Sequence, residues 1–305
     1  QFNVTAVQHV LGQFNVPELS AQNTKFGPAL NRWAQGSDNA AGSLRYTFDG
    51  PALQVLPSFG VVAPTFHMTD PPPLDLPGCD INLAQVVHGS QAISLSAPLP
   101  TSGSATIRTT LTDVWDKGKA AVIWQEGVAP SPEGEELWRV RSSIFVRGEG
   151  GWGGDRGSSQ AVEVPDRAAD CDVTYDVTPQ QALLYRLCGD RNPLHADPDF
   201  AKAAGFPAPI LHGLCTLGVA GHAVLRTCCD YDPVRFKSLR LRFSAPVYPG
   251  EVIRTEVWKD GEEVSSLSAY LRSIYWSAMC GRERAQTPSV CPPPTAGRSG
   301  RPSCG

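Results

Sequence analysis

Residues 212–226 constrain the fold of this chain more than any other segment. A helix over this stretch would carry apolar or very small residues on almost all of its faces. Such a helix must be buried on every side, and its glycines let neighbouring backbone approach closely. We therefore expect a buried helix enclosed by other elements. The side chains that set this pattern are Leu214, Leu217, Gly218, Gly221, Val224 and Leu225.

Alternating apolar and polar residues predict the β-strands that would enclose this helix. Turn residues separate consecutive segments, as at Lys117-Gly118 and Pro249-Gly250. Strands that follow one another through short turns pair antiparallel, so the predicted class is α+β, with an antiparallel sheet wrapped around a long helix. The alternating segments are 44–48, 104–116, 120–126, 137–147, 239–243 and 252–258.

Composition limits the classes of partner. The 305 residues suit two domains of about 150 residues, and the formal net charge of −4 with scattered Lys and Arg argues against nucleic acid. The sequence lacks an apolar run of the roughly 18 residues that span a bilayer. Nine cysteines without a Cys-x-x-Cys pair indicate free thiols in a reducing compartment. No metal site is expected from them.

Candidate chemistry lies in the segment after the helix that Thr178-Pro179 opens and Gly189 closes. Asp190 and His195 follow this glycine on a short loop, and Pro193 restricts the backbone between them. A carboxylate and an imidazole held on one rigid loop can share a water, remove its proton and return a proton elsewhere. Asp190 and His195 are therefore the predicted acid/base pair.

An electrophilic counterpart is predicted where the buried helix begins, at His212-Gly213. The first N–H groups of a helix have no intrahelical acceptor and lie at the positive end of its dipole. Gly213 would let a substrate carbonyl come close, and an N–H aimed at its oxygen is worth about 3 kcal/mol as negative charge develops. Together with the acid/base pair, this arrangement suits reversible hydration of a double bond conjugated to a thioester.

Structural interpretations of the same residues stay open at this point. Gly-Asp-x-Asn-Pro is also a plain turn, with Asp190 as its cap and His195 at the surface. His212 and His222 on an apolar helix are more often structural than catalytic. The pair His88-Gly89 mirrors His212-Gly213 and suggests an internal repeat whose first copy binds but does not catalyse. The glycine-rich residues 148–157 indicate a linker, because no apolar helix follows them as a dinucleotide loop would require.

The segment from Tyr185 through Gly189-Asp190-x-Asn192-Pro193-Leu194-His195, with residues 209–215, resembles the signature of the R-specific enoyl-CoA hydratases, the hydratase 2 or MaoC-like group. The similarity extends to residues 56–61, 88–91 and 150–154 and covers roughly residues 44–265. It implies a double hot-dog fold: two repeats, each an antiparallel sheet wrapped around a long helix.

The resemblance also implies a domain organisation. Residues 1–43 stay unassigned, 44–150 would form an N-terminal hot-dog repeat that binds acyl and CoA groups, and 151–173 would be a linker. Residues 174–270 would form the catalytic MaoC-like repeat. Residues 271–305 are expected to form a disordered tail, because Arg, Pro, Ser and Gly dominate its end.

The implied activity is that of a hydro-lyase, converting trans-2-enoyl-CoA reversibly to (3R)-3-hydroxyacyl-CoA in fatty acid β-oxidation. Asp190 and His195 would activate water and Gly213 would donate to the oxyanion, with no metal or redox cofactor. Lys117 would meet a CoA phosphate. The full set of implied substrate contacts is His88, Gly89, Lys117, Arg191, Asn192, Pro193, Leu194 and Phe243.

Two alternatives remain beside this hydratase: a hot-dog protein that binds acyl-CoA without turnover, and a 3-hydroxyacyl dehydratase of fatty acid synthesis. The expected partner is a small-molecule acyl-CoA, and a homodimer is one expected form. The expected location is intracellular: the peroxisome in a eukaryote, although residues 302–305 are not a Ser-Lys-Leu type signal, and otherwise the cytoplasm.

Overall fold

A computed structural model describes residues 15–23, 26–36, 41–48, 50–66, 68–71, 79, 81–131, 133–158, 165–260, 263–268 and 274–280. Ten strands of this part of the chain form one antiparallel sheet. They are β1 (Asn15–Asn23), β2 (Val86–Leu95), β3 (Gly103–Asp116), β4 (Ala120–Pro130), β5 (Glu136–Arg147), β6 (Cys171–Asp176), β7 (Phe236–Phe243), β8 (Val252–Asp260), β9 (Glu263–Ser268) and β10 (Ile274–Cys280).

The order of the strands shows that the two halves of the chain repeat one topology. From the outer edge inward, the first half runs β1-β3-β4-β5-β2 and the second half β6-β8-β9-β10-β7. The repeats meet where β2 pairs antiparallel with β7, with Gln91 opposite Leu241 and Ile93 opposite Leu239. This arrangement confirms the predicted double hot-dog fold of the α+β class.

Helices fill the same place in each repeat, between its first and second strands. In the first repeat these are α1 (Phe26–Ala34), α2 (Ala41–Thr47) and α3 (Phe59–Val62); in the second they are α4 (Gln181–Tyr185), α5 (Pro198–Ala203) and α6 (Gly213–Cys228). Helix α6 confirms the predicted buried helix. Its small and apolar side chains allow close approach on all sides, and it packs against β6, β7 and β8. The helices described in the first repeat are all shorter than α6.

The predicted strand over residues 44–48 is wrong, because residues 44–47 belong to helix α2 and Phe48 follows its end. The buried side chains Ser43, Tyr46 and Thr47 are spaced three and four residues apart, as on one helix face. The Tyr46 hydroxyl donates a hydrogen bond to the carbonyl oxygen of Tyr231 at 2.6 Å. Five alternating residues were too short a stretch to distinguish the two periods.

The predicted disordered tail over residues 271–305 is wrong for residues 274–280, which form β10 between β7 and β9. The prediction followed from the Arg, Pro, Ser and Gly of residues 281–305, which lie outside the described part of the chain. Residues 274–280 are instead rich in Ile, Tyr, Trp and Met, and Trp276 lies opposite Leu241 of β7. The position of β10 between β7 and β9 is set by such long-range pairings.

Two further boundaries differ from the expectation. Strand β6 begins at Cys171, inside the predicted linker 151–173, and pairs with β8. The previously unassigned residues 1–43 contain β1, which pairs with β3, and helix α1. The partners of both strands lie far away in the sequence, β3 for β1 and β8 for β6. The seven cysteines in the described residues are free thiols, as predicted, and no helix there has both the length and the apolar character to cross a membrane.

Candidate active site

A cavity of about 570 Å³ is lined by residues of both repeats. The first repeat contributes the inner faces of β2, β3, β4 and β5, and the second contributes the loop after α4, the start of α6 and residues 243–247. The residues of interest that line the cavity are Asp190, Asn192, Leu194, His195, Gly213, Phe243 and, from the first repeat, His88. The predicted acid/base pair and the predicted oxyanion donor therefore face one space.

Gly189 sets the direction of the loop that carries Asp190. It ends the 3₁₀ helix Arg186–Cys188 with a φ of +103°, a conformation that residues other than glycine rarely adopt. Its Cα also lies so close to the first repeat that an added Cβ would be 1.8 Å from the carbonyl oxygen of Thr65. The position therefore requires glycine, for conformational and for steric reasons.

Local hydrogen bonds hold the loop between Asp190 and His195. The Asp190 carboxylate accepts a bond from the backbone N–H of Asn192 at 3.1 Å, and the Asn192 side chain accepts one from the N–H of Leu194 at 3.0 Å. Asn192 thereby caps the 3₁₀ helix Pro193–His195. A guanidinium nitrogen of Arg186 donates to the Asn192 carbonyl at 2.6 Å. The turn predicted from Asn-Pro is present, and it fixes the separation of the two candidate groups.

His195 is buried, so the alternative that placed it at the surface is wrong. Its Nδ1 lies 2.8 Å from the carbonyl oxygen of Ile210, which can only accept, so Nδ1 carries the proton. In the neutral ring Nε2 then keeps its lone pair. Burial lowers the pKa of His195 below its ordinary value, while the charge of Asp190 opposes that shift. His195 is thus neutral at physiological pH, with the lone pair of Nε2 able to accept a proton.

His212 lies directly against His195 and is fully buried. The two imidazole rings stack with their centroids 3.8 Å apart and their planes inclined by 27°. The Nε2–H of His212 points at the carbonyl oxygen of Asp190 at 3.4 Å, and the ring of Tyr185 lies 5.0 Å from the His212 ring. Burial lowers the pKa of His212 well below its ordinary value. These contacts fit the structural interpretation of His212.

Asp190, His195 and His212 each present a polar atom within 4.8 Å of the other two. Three such groups could in principle hold a metal ion. The ring lone pairs of zinc-bound histidines converge on the ion at about 2.0–2.1 Å, whereas stacked rings direct their nitrogens side by side. The Nε2 of His212 moreover points to a backbone carbonyl. This geometry favours proton transfer over metal binding.

Helix α6 begins at Gly213, directly after His212. Its first N–H groups have no intrahelical acceptor, and both Gly213 and Leu214 line the cavity. The Phe243 ring packs on Gly213 so closely that an added Cβ would lie 3.0 Å from ring carbons. The N-terminal end of α6, which is the positive end of the helix dipole, therefore lies at the cavity that Asp190 and His195 also line.

Of the eight substrate contacts expected from the sequence, the structure brings His88, Asn192, Leu194 and Phe243 to the cavity. The other four do not line it. The ammonium of Lys117 lies 4.8 Å over the Trp115 ring and donates to the Arg156 carbonyl. The remaining three are Gly89, which lies in β2, Pro193, which opens the 3₁₀ helix, and Arg191, whose Nε points to the Met68 carbonyl at 3.4 Å.

His88 occupies a different place from the one that the sequence mirror suggested. It lies in β2, the counterpart of β7, whereas His212 precedes a helix. The equivalence of His88-Gly89 and His212-Gly213 is therefore wrong, although the repeat itself is real. The Nε2–H of His88 donates to the Ser90 carbonyl at 3.0 Å, and its ring lies 4.9 Å from that of Phe243. Burial lowers the pKa of His88 to about 4.

Arg147 was missed at the sequence level. Among the described residues that line the cavity, Arg147 is the one with a positively charged side chain of the Arg or Lys type. Its Nη2 donates to the carbonyl oxygens of Ala84 at 3.0 Å and Ala204 at 2.6 Å, and its guanidinium lies 5.3 Å from the Phe206 ring centroid. It thus ties the first repeat to the loop after α5. The sequence shows only an Arg at the end of a strand, and its partners come from the tertiary structure.

Comparison with known families and proteins follows the division into two repeats. Residues 34–148 match the family described as MFE-2 hydratase 2 N-terminal domain, and residues 160–270 match the family described as MaoC like domain. The first match covers the repeat without the Asp190 loop, and the second covers the repeat that carries it.

Two relatives span the chain differently. Enoyl-CoA hydratase ChsH3 of Mycobacterium tuberculosis is 54% identical over 211 residues, which cover 69% of this chain and 74% of that protein. Peroxisomal multifunctional enzyme type 2 of Mus musculus is 39% identical over 266 residues, which cover 86% of this chain. The match spans 35% of the mouse protein, about a third of its length.

Solved structures show the same architecture. A MaoC-like dehydratase from Phytophthora capsici superposes with a TM-score of 0.81 at 29% identity, covering 91% of this chain and 98% of that one. A conserved hypothetical protein of Mycobacterium tuberculosis described as a double hotdog fold superposes with a TM-score of 0.53 at 11% identity, covering 85% of this chain and 93% of that one. The latter likeness concerns the fold alone.

Proposed function

The chain belongs to the MaoC-like dehydratase family, and from that premise we propose that it hydrates trans-2-enoyl-CoA reversibly to (3R)-3-hydroxyacyl-CoA in fatty acid β-oxidation. The observation that carries this proposal is the single cavity shared by Asp190, His195 and the first residues of α6. Hydration needs a base for water, a proton for carbon and a donor for an oxyanion. The arrangement offers all three within one space.

The proposed reaction begins with a water held between Asp190 and His195. Nε2 of His195 takes a proton from this water, and the Asp190 carboxylate orients it and stabilises the positive imidazolium. The resulting hydroxide adds to C3 of the enoyl group, and the displaced electron pair moves to the thioester oxygen. The proton then passes to C2, which gives the 3-hydroxyacyl product. The reverse sequence dehydrates that product.

The N–H of Gly213 is the proposed donor to the thioester oxygen. Charge on this oxygen develops only as the hydroxide adds, so a fixed donor stabilises the transition state more than the bound substrate. One such donor is worth about 3 kcal/mol. The groups of the protein supply all the proton transfers, so the proposed reaction uses neither a metal nor a redox cofactor.

The substrate contacts proposed from the structure are His88, Asn192, Leu194 and Phe243, which line the cavity.

We further propose an intracellular location, since CoA thioesters are intracellular metabolites. In a eukaryotic cell this location would be the peroxisome, as for the mouse relative, and in a bacterium it would be the cytoplasm. A homodimer is the proposed form in solution, to be measured by light scattering.

The proposal is tested by measuring the hydration of crotonyl-CoA through the loss of its enoyl-thioester absorbance. Asp190→Asn and His195→Gln should each lower kcat/KM by about 10²-fold or more. Asp199→Asn is the matched control, because Asp199 is exposed in the first turn of α5 and should keep wild-type activity. An unchanged rate in either site variant would contradict the assignment. If the wild type binds acyl-CoA tightly without turning it over, the alternative of a non-catalytic acyl-CoA-binding protein would be favoured.

A further inference from the structure

Three polar side chains cross the wall that the first repeat presents to the cavity. Gln91 of β2 lies opposite Ser142 of β5, and Ser142 lies opposite Gln125 of β4. All three line the cavity. We call this row, Gln91, Ser142 and Gln125, the polar belt.

Apolar or small residues flank the polar belt on both sides. Val140 and Ile144 are two residues away from Ser142 on β5 and line the same cavity, since side chains two apart share a face. Opposite Val140, β4 has Gly127, which also lines the cavity. The residues beside the polar belt on β4 and β5 are therefore suited to a hydrocarbon chain, and the hydroxyl-bearing Thr109 of β3, opposite Gly127, is a further polar residue of the cavity lining.

The two ends of the polar belt differ in their hydrogen bonds. Gln91 directs its amide nitrogen to backbone, 3.0 Å from the Ala92 carbonyl and 3.4 Å from the Arg141 carbonyl. Gln125 instead donates to the Ser142 hydroxyl oxygen at 2.9 Å. This bond uses one of the two amide hydrogens, and the Gln125 amide oxygen and the Ser142 hydroxyl hydrogen stay available. Gln125 and Ser142 thus offer both a donor and an acceptor to the cavity.

A plain hydrocarbon chain in the cavity would leave the Gln125 amide oxygen and the Ser142 hydroxyl hydrogen without water or a partner. A buried polar group without a hydrogen bond costs about 1–3 kcal/mol, and sites that bind a substrate hydroxyl strongly reject analogues that lack it. Neither Gln125 nor Ser142 is charged, and together they can both donate and accept. The complementary ligand is therefore a neutral oxygen group rather than a carboxylate or an ammonium.

The polar belt runs away from the reacting atoms. Phe243 packs on Gly213 and contacts His88, and Gln91 follows three residues later on β2. Gln125 lies two strands further, which is roughly 10 Å at the usual spacing between strands. A group bound at Gln125 would belong to the distal part of the acyl chain.

On the premise of the proposed hydratase activity, we propose that the preferred acyl group carries a hydroxyl or a carbonyl far from the thioester, which hydrogen-bonds to Gln125 and Ser142. The remaining acyl chain lies along Val140, Ile144 and Gly127. The polar belt is thus a specificity determinant of the first repeat, separate from the acid/base pair of the second.

The test compares kcat/KM for pairs of trans-2-enoyl-CoAs of equal length, with and without a terminal hydroxyl, over a series of chain lengths. At the length that reaches the polar belt, the wild type should favour the hydroxylated substrate by about tenfold or more. Gln125→Leu and Ser142→Ala should each reduce this ratio towards one. Glu126→Gln is the matched control, because Glu126 points to the opposite face and pairs with Arg139; it should keep the wild-type ratio.

The outcomes separate the two proposals. If the wild type hydrates crotonyl-CoA but shows no preference for a hydroxyl at any length, the polar belt has no role in specificity. The same conclusion holds if Gln125→Leu lowers kcat/KM equally for both members of a pair. If the wild type does not hydrate crotonyl-CoA, the proposed function fails and this proposal fails with it.

Discussion

The imidazole ring of His212 stacks on the ring of His195, the candidate base, with the two ring centroids 3.8 Å apart. His195 donates from Nδ1 to the Ile210 carbonyl, and His212 donates from Nε2 towards the Asp190 carbonyl. The stack therefore connects the base to the backbone of the acid. From these contacts we expect His212 to position both partners and not to transfer a proton itself.

Replacing His212 should separate packing from hydrogen bonding. His212→Ala leaves a cavity behind His195 and should lower the free energy of unfolding by about 2–4 kcal/mol, with a large loss of kcat. His212→Phe keeps a flat ring against His195, so its loss of kcat should be smaller. Urea unfolding and crotonyl-CoA kinetics measure both effects. Equal losses of kcat in the two variants would show that stacking is not what positions His195.

The pH dependence of activity should follow His195. The neutral ring is the base, and burial lowers its pKa below the ordinary value of 6.5. The midpoint of protonation, and with it the midpoint of the acid loss of kcat/KM, should therefore lie below pH 6.5. Measurements of crotonyl-CoA hydration between pH 4.5 and 8 in a buffer of constant ionic strength would show this limb. An acid limb centred above pH 6.5 would contradict the neutral-base assignment.

Stability should fall with acid because of His88. Its pKa is about 4 in the folded chain against 6.5 in an unfolded one, so the unfolded state binds the proton first as pH decreases. The stabilisation is fully present above pH 6.5 and is lost between pH 6.5 and 4, by about 3 kcal/mol for this group alone. Urea unfolding at several pH values should show a weaker decline in His88→Phe. An identical decline in that variant would exclude His88 as a cause.

Gly189→Ala should be far more harmful than a comparable change elsewhere. The new Cβ would meet the Thr65 carbonyl oxygen at 1.8 Å and would also require a φ of +103°. Gly134 is the control, since its φ is +89° and no atom lies within 4 Å of an added Cβ. Gly134→Ala should cost about 1–3 kcal/mol of backbone strain, and Gly189→Ala clearly more, with loss of activity. Thermal unfolding compares them directly, and equal costs would argue against the steric contact.

Gly213→Ala tests the approach to the start of α6. Its Cβ would lie 3.0 Å from the Phe243 ring, which must shift by a few tenths of an ångström. We expect a folded protein with kcat/KM lowered about tenfold, because a 1 Å displacement at a site can cost more than that. The double variant with Phe243→Leu should recover part of the loss. Failure of any recovery would place the effect at the oxyanion instead of the ring.

The candidate acid/base pair could be predicted from the sequence because its geometry is local. Gly189, Asp190, Asn192 and His195 lie within seven residues, and the bonds that hold them connect neighbours in the chain. The motif and the all-round apolar pattern of α6 also indicated the family and the fold class. The position of Lys117, by contrast, could not be predicted, because strand pairing and packing decide which side chains reach the cavity.

The sequence by itself determined the elements whose stability depends on near neighbours: the buried helix α6, the capped loop before it and most of the alternating strands. Only the tertiary structure decided which distant parts complete them. It placed β10 between β7 and β9, stacked His212 on His195 and aligned Gln125 with Ser142 on adjacent strands. Local preferences are encoded within a few residues, whereas strand register and side-chain contacts between repeats depend on long-range packing that no short segment contains.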